Sequence, residues 1–266
     1  MPTITRGPAI SFTNQLRSAR LAALGDAEAF DGIIHAIERL GSYLSKEQLG
    51  DKGKHGSLRK YQKEIVKLAE ESGMAEPPDK FRELLTPFST LYDLVRDARN
   101  DAVHQGAFAR HLARHAIELA IILEDALRNY IDSATDLMAL NPVCAELWQP
   151  IGFIRQQMLA NSYSYLPVRG DDENWYVVSD SAVAIFLRSE GDGEKRRKRL
   201  ASRLKDASKE DLDLLKLMPA ESKFVDESVS VAEALKRLKE PPPVLLVRHE
   251  SDSKSLLGIL TAFDLL

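Results

Sequence analysis

The stretch Arg99-Asn100-Asp101-Ala102-Val103-His104 sets a permanent cation five residues before an imidazole. A guanidinium offers a planar donor fork that fits phosphate oxygens. An imidazole titrates near neutral pH and can take a proton from an attacking hydroxyl. Together they supply metal-free phosphodiester chemistry, with the polar Asn100 between them. On an unbroken helix five residues turn by about 500°, which leaves the side chains roughly 140° apart. They converge only at a helix break, and Gly106 follows at once. The same residues also read as an exposed helix end, with a histidine favoured by the C-terminal dipole.

A second constellation is Gly258-Ile259-Leu260-Thr261-Ala262-Phe263-Asp264. Glycine lets a backbone or ligand approach closely. Thr261, at a strand-to-helix junction, can donate to a phosphate near free N–H groups. Asp264, one turn on, can accept ribose hydroxyls. A capping arrangement at Thr261 and Asp264 explains the same residues.

The elements that must position these groups change along the chain. Residues 14–133 read as helices: Asp26 to about Leu44, 58–72, and Asp79 toward Val103, with Pro87 kinking or dividing the last. Phe108–Tyr130 carries the strongest stripe, Leu112, Ala116, Leu119, Leu123 and Leu127, with Arg110, His111, Arg114 and His115 in its first turns. Beyond Leu137 the pattern becomes short strands and helices. Tyr165–Val168 and Trp175–Ser179 form one strand pair, and Pro243–Val247 and Leu257–Thr261 another, as a repeat about 80 residues apart. The predicted class is α+β in two domains: an all-α bundle over 1–137 and a repeated α/β module over 138–266. Within the module the repeats span about 138–190 and 209–266, and a basic linker, 191–208, holds Lys195-Arg196-Arg197-Lys198-Arg199.

Composition narrows the function. The 266 residues are 44% hydrophobic and 29% charged, with a net charge of −4 that divides evenly between the halves. Neither half is a basic nucleic-acid module, so any RNA contact needs a local patch. The single cysteine excludes an intrachain disulfide, and no Cys/His cluster has zinc spacing. No apolar run approaches the ~20 residues of a membrane span, and the first residues lack a leader's apolar core. The expectation is a cytoplasmic protein with no bound metal.

The Arg99–His104 segment resembles the HEPN family signature: an arginine, four to six intervening residues of which the first is polar, then a histidine. That resemblance implies a helical bundle acting as a dimer. His104 would take the 2′-hydroxyl proton, Arg99 would stabilise the charged phosphorus, and Asn100 would orient both. The C-terminal half resembles a tandem pair of cystathionine-β-synthase (CBS) domains, a Bateman-type module. The resemblance implies an adenine nucleotide (ATP, ADP or AMP) held by Gly258, Thr261 and Asp264, its base flanked by Val244 and Leu246. In the first repeat Ser179 matches Thr261, while Tyr176 and Ala182 replace the glycine and aspartate, so one ligand per chain is expected. The combined expectation is a homodimeric, nucleotide-regulated endoribonuclease acting on RNA, with toxin or antiphage defence as its implied biology. The alternative is a non-catalytic nucleotide-binding regulatory or assembly module.

Overall fold

The computed structural model describes residues 4–45, 57–101, 106–188, 192–208, 215–249 and 252–265. Side chains are described there except at 99–101, 106–110 and 252–254. The chain divides into two units, Met1–Asp132 and Ser133–Leu266. The division falls earlier than the boundary drawn at 137. Ala134 already belongs to the second unit, where its N–H donates to the Val229 carbonyl.

The first unit is helical: α1 (Arg6–Gly25), α2 (Asp31–Leu44), α3 (Leu58–Ala69), α4 (Phe88–Asp101) and α5 (Gly106–Arg128). Helix α1 was not legible over its full length, because its buried stripe Ala9, Thr13, Leu16 and Ala23 is small and weakly apolar. Arg20 lies on the same stripe. It is satisfied by α5, where Glu124 accepts from its Nε at 2.9 Å and from its Nη2 at 3.0 Å. Asp26 is an N-cap, its carboxylate accepting the Glu28 N–H, and the turn it caps, Ala27–Phe30, is 3₁₀ and leads into α2. Pro87 divides rather than kinks. A short 3₁₀ turn, Asp79–Phe81, precedes it and α4 starts immediately after it, as expected for a residue that cannot donate its N–H. Where α2 meets α3, Gly41 lies directly against Tyr61: a Cβ there would sit 2.6 Å from the Tyr61 Cγ.

The second unit holds two four-stranded sheets. The first repeat has β2 (Ala145–Glu146), β3 (Tyr165–Arg169) and β4 (Trp175–Ser179), with helices α6 (Ile151–Asn161) and α7 (Asp180–Phe186). The second has β6 (Phe224–Asp226), β7 (Val244–His249) and β8 (Asp252–Thr261), with α10 (Val231–Leu238) and a 3₁₀ turn, Ala262–Leu265. Each edge is completed from the other side of the duplication. Strand β1 (Ala139–Leu140) pairs with β8, and β5 (Met218–Pro219) pairs with β4. The orders β2-β3-β4-β5 and β6-β7-β8-β1 therefore match, each with one parallel and two antiparallel pairings. Single hydrogen bonds repeat as well: Asn141 N–H to the Leu257 carbonyl mirrors Ala220 N–H to that of Trp175, both at 3.0 Å.

The sheets pack on each other through Val177, Ala220, Val244, Leu246 and Ile259. The stretch read as a linker is helical, α8 (Gly193–Ala201) and α9 (Leu204–Ala207). Helix α8 buries no residue, whereas Leu204 and Ala207 enter the first repeat's own core. Part of the supposed linker is thus structural.

Candidate functional site

At the end of β8 the chain turns sharply into the Ala262–Leu265 turn. The backbone N–H of Thr261 and its hydroxyl both donate to Asp264 Oδ2, at 2.7 and 2.9 Å. The aspartate thus closes the turn as the acidic half of a capping box. Both residues remain partly exposed. In the first repeat Ser179 occupies the matching place: it faces Tyr165 across the ladder as Thr261 faces Val244. Its hydroxyl oxygen accepts from the Ala182 N–H at 3.1 Å and pairs with the Ser181 hydroxyl at 2.9 Å. No carboxylate stands at Ala182, and the acid at this end, Asp180, accepts from the Ser181 N–H rather than from Ser179.

The remaining expected ligand residues play structural parts. A Cβ on Gly258 would run into Met138 Sδ and lie 3.0 Å from the Ala139 carbonyl oxygen. The close approach that demands glycine is by the chain entering β1, not by a ligand. Val244 and Leu246 have no exposed surface and point into the core between the sheets. They brace β7 and offer no face to a base as the sheets stand. The sequence reading missed Lys223, just before β6. It is 4% exposed, and its ammonium donates to the Glu240 carbonyl at 2.7 Å. A single lysine in a polar stretch carries no periodicity that would announce burial.

In the helical unit, Arg99 and Asn100 fall in the last turn of α4. Their side chains, and His104 altogether, lie outside the described residues, as does the expected approach of Arg99 to His104. The described cations nearby are largely neutralised. Arg96 bonds Asp93 at 2.6 Å and Asp97 at 2.8 Å, and Arg114 bonds Glu118 at 3.1 Å. His111 and His115 stack edge to face, with ring centroids 4.9 Å apart. In the basic run, Arg199 Nη1 caps the end of α7 through the Phe186 carbonyl at 2.7 Å, and Lys198 pairs with Glu194. Among the described residues no three His, Cys, Asp or Glu side chains gather as a metal site, and no helix is long and apolar enough to cross a membrane.

Comparison with known proteins gives no match to any protein-family model and none among curated proteins. Solved structures similar to this chain include CBS-domain proteins. One is a CBS domain-containing protein from Bacillus anthracis, 15% identical over 50% of this chain and 88% of that one, with a TM-score of 0.38. Another is the CBS-pair protein CBSX2 from Arabidopsis thaliana, 17% identical over 50% and 90%, with a TM-score of 0.39. A third is CBSX2 in complex with AMP, 20% identical over 50% and 92%, with a TM-score of 0.37.

Proposed function

We propose that the second unit is an adenine-nucleotide-binding regulatory module of the tandem CBS kind, serving the helical unit to which it is fused. One observation carries this: the Thr261–Asp264 pair closes the second sheet at the place where its counterpart has Ser179 and Ala182. The two copies share one strand order, but only the second has an acid three residues after its hydroxyl residue, Asp264 against Ala182, and this difference favours one ligand at these ends of the sheets over a repeated capping device. Binding would exchange the Thr261–Asp264 bonds for bonds to ligand. Asp264 would take the ribose hydroxyls, and the Thr261 hydroxyl and the turn's N–H groups the phosphate. Calorimetry with ATP, ADP, AMP and S-adenosylmethionine tests the reading. Asp264→Ala should weaken binding about tenfold or more, the cost of stranding buried hydroxyls at about 1–3 kcal/mol. Thr261→Ala should cost less. Equal affinity in wild type and Asp264→Ala would place the ligand elsewhere.

A more specific reading makes the helical unit a metal-independent endoribonuclease of the HEPN kind. It is supported by α4 ending, and α5 beginning, on either side of the segment that holds His104. Arg99, Asn100 and His104 would then act in a composite cleft of a homodimer, with regulation by the bound nucleotide. Purified protein should cut labelled tRNA or total RNA to 2′,3′-cyclic phosphate ends, and His104→Ala should abolish the cut. Sedimentation should return twice the 29.7 kDa chain. A monomer, or cleavage that persists in His104→Ala, would leave the regulatory module without this effector.

A further inference from the structure

The chain has two tryptophans, and both line one cleft of about 580 Å³ in the first repeat, with Arg169, Arg203, Lys205 and Asp171. The cleft lies at the opposite end of the sheet from Ser179. Trp175 opens β4 across from Arg169, which ends β3, whereas Ser179 closes β4 across from Tyr165. The duplication shows what is unusual there. In the second repeat Arg248 takes the register position of Arg169, and its Nε bonds Asp226 at 2.9 Å. In the first repeat the matching acid is Glu146, but its carboxylate accepts the indole N–H of Trp148 instead. Arg169 is thereby left with no side-chain partner among the described residues, and Arg203 has none either. Asp171 is taken by Lys205. Asp206 is then the remaining lining carboxylate, set against two uncommitted guanidinium groups.

We infer that this cleft is a second binding site, for a nucleoside phosphate, distinct from the Thr261–Asp264 site and independent of it. Trp148 is 63% exposed, which leaves its indole free to stack on a base. Arg169 and Arg203 supply bidentate donors for a phosphate, and Asp206 an acceptor for sugar hydroxyls. The volume falls in the range of small-ligand pockets.

Because no tryptophan lies elsewhere in the chain, intrinsic fluorescence reports this site without a label. The full-length protein is titrated with AMP, GMP, UMP and inorganic phosphate. Saturable quenching by the nucleotides is expected, weakened tenfold or more in Arg169→Ala and in Arg203→Gln, and unchanged in Asp264→Ala. Both arginines are exposed, so circular dichroism should match wild type, and Trp148→Phe gives an independent variant that should keep only the Trp175 response. Any of four results overturns the inference: no quenching at millimolar nucleotide, quenching lost in Asp264→Ala, phosphate alone matching the nucleotides, or affinity unchanged in both arginine variants. A single-stranded RNA that quenches where mononucleotides do not would also overturn it, and assign the cleft to nucleic acid.

Discussion

Glu124→Ala should cost the helical unit about 3–5 kcal/mol, the loss seen when one member of a buried ion pair is removed. The reason lies in α1. Arg20 lies along its buried stripe with a side chain only 14% exposed, and the Glu124 side chain on α5 is 10% exposed. Without the carboxylate, a guanidinium with two committed hydrogen bonds is left in a largely dry seam. Urea denaturation measures the loss, and the double variant Arg20→Met with Glu124→Leu should recover most of it by replacing both charges with apolar volume. The pH dependence follows from the arginine. Hydrogen bonding to Glu124 holds its pKa above the ordinary range, against the opposing pull of desolvation. Its contribution is fully present below the unfolded arginine value and is lost only above it. The gap between wild type and Glu124→Ala should therefore be the same at about pH 6 and pH 9. A loss under about 1 kcal/mol would mean that the pair is solvated.

Gly41→Ala is expected to be the most damaging substitution among the described glycines of that unit. An added methyl would overlap the Cβ of Tyr61 and lie 2.6 and 2.9 Å from its Cγ and Cδ2, at a residue only 2% exposed. The obstacle is the root of a side chain, so α2 and α3 must separate. Overpacking of this kind costs about 1–3 kcal/mol or more, against a gain of about 1 kcal/mol from replacing glycine in a helix. Gly32→Ala on the same helix is the control. There a Cβ meets that of Ala19 at 3.5 Å, an ordinary contact, so the propensity gain should prevail. Equal effects of the two changes would contradict the α2–α3 packing.

The parts of this fold that were legible are those with a period. Strand β4 was read as Trp175–Ser179 and is Trp175–Ser179, because its buried run sits between clear turn residues. The apolar stripes of α2, α3 and α5 were equally plain. Four strands, β1, β2, β5 and β6, escaped because two or three residues are too few to alternate. The pairing of β1 and β5 is moreover set by the opposite half of the duplication, which no local window contains. The site was legible as residue types but not as roles. Thr261 and Asp264 do meet, yet the contact that explains Gly258 comes from Met138, far away in sequence. The vacated ion pair at Arg169 became visible only by comparison with Arg248 and Asp226 in space.

The crossed edge strands make the two repeats indivisible. A fragment cut between them would strip each sheet of a strand and expose the unpaired backbone of β4 and β8, an invitation to aggregate. The exchange also lays a route along the chain itself. Strand β1 is bonded to β8 at Ala139–Ile259 and Leu140–Gly258, just ahead of Thr261, and the same backbone runs back from β1 to the end of α5 at Arg128. A displacement of β8 would therefore be shared first by β1, while Ala134 and Thr135, bonded to the Val229 and Glu227 carbonyls, hold the stretch of chain before it to the second unit.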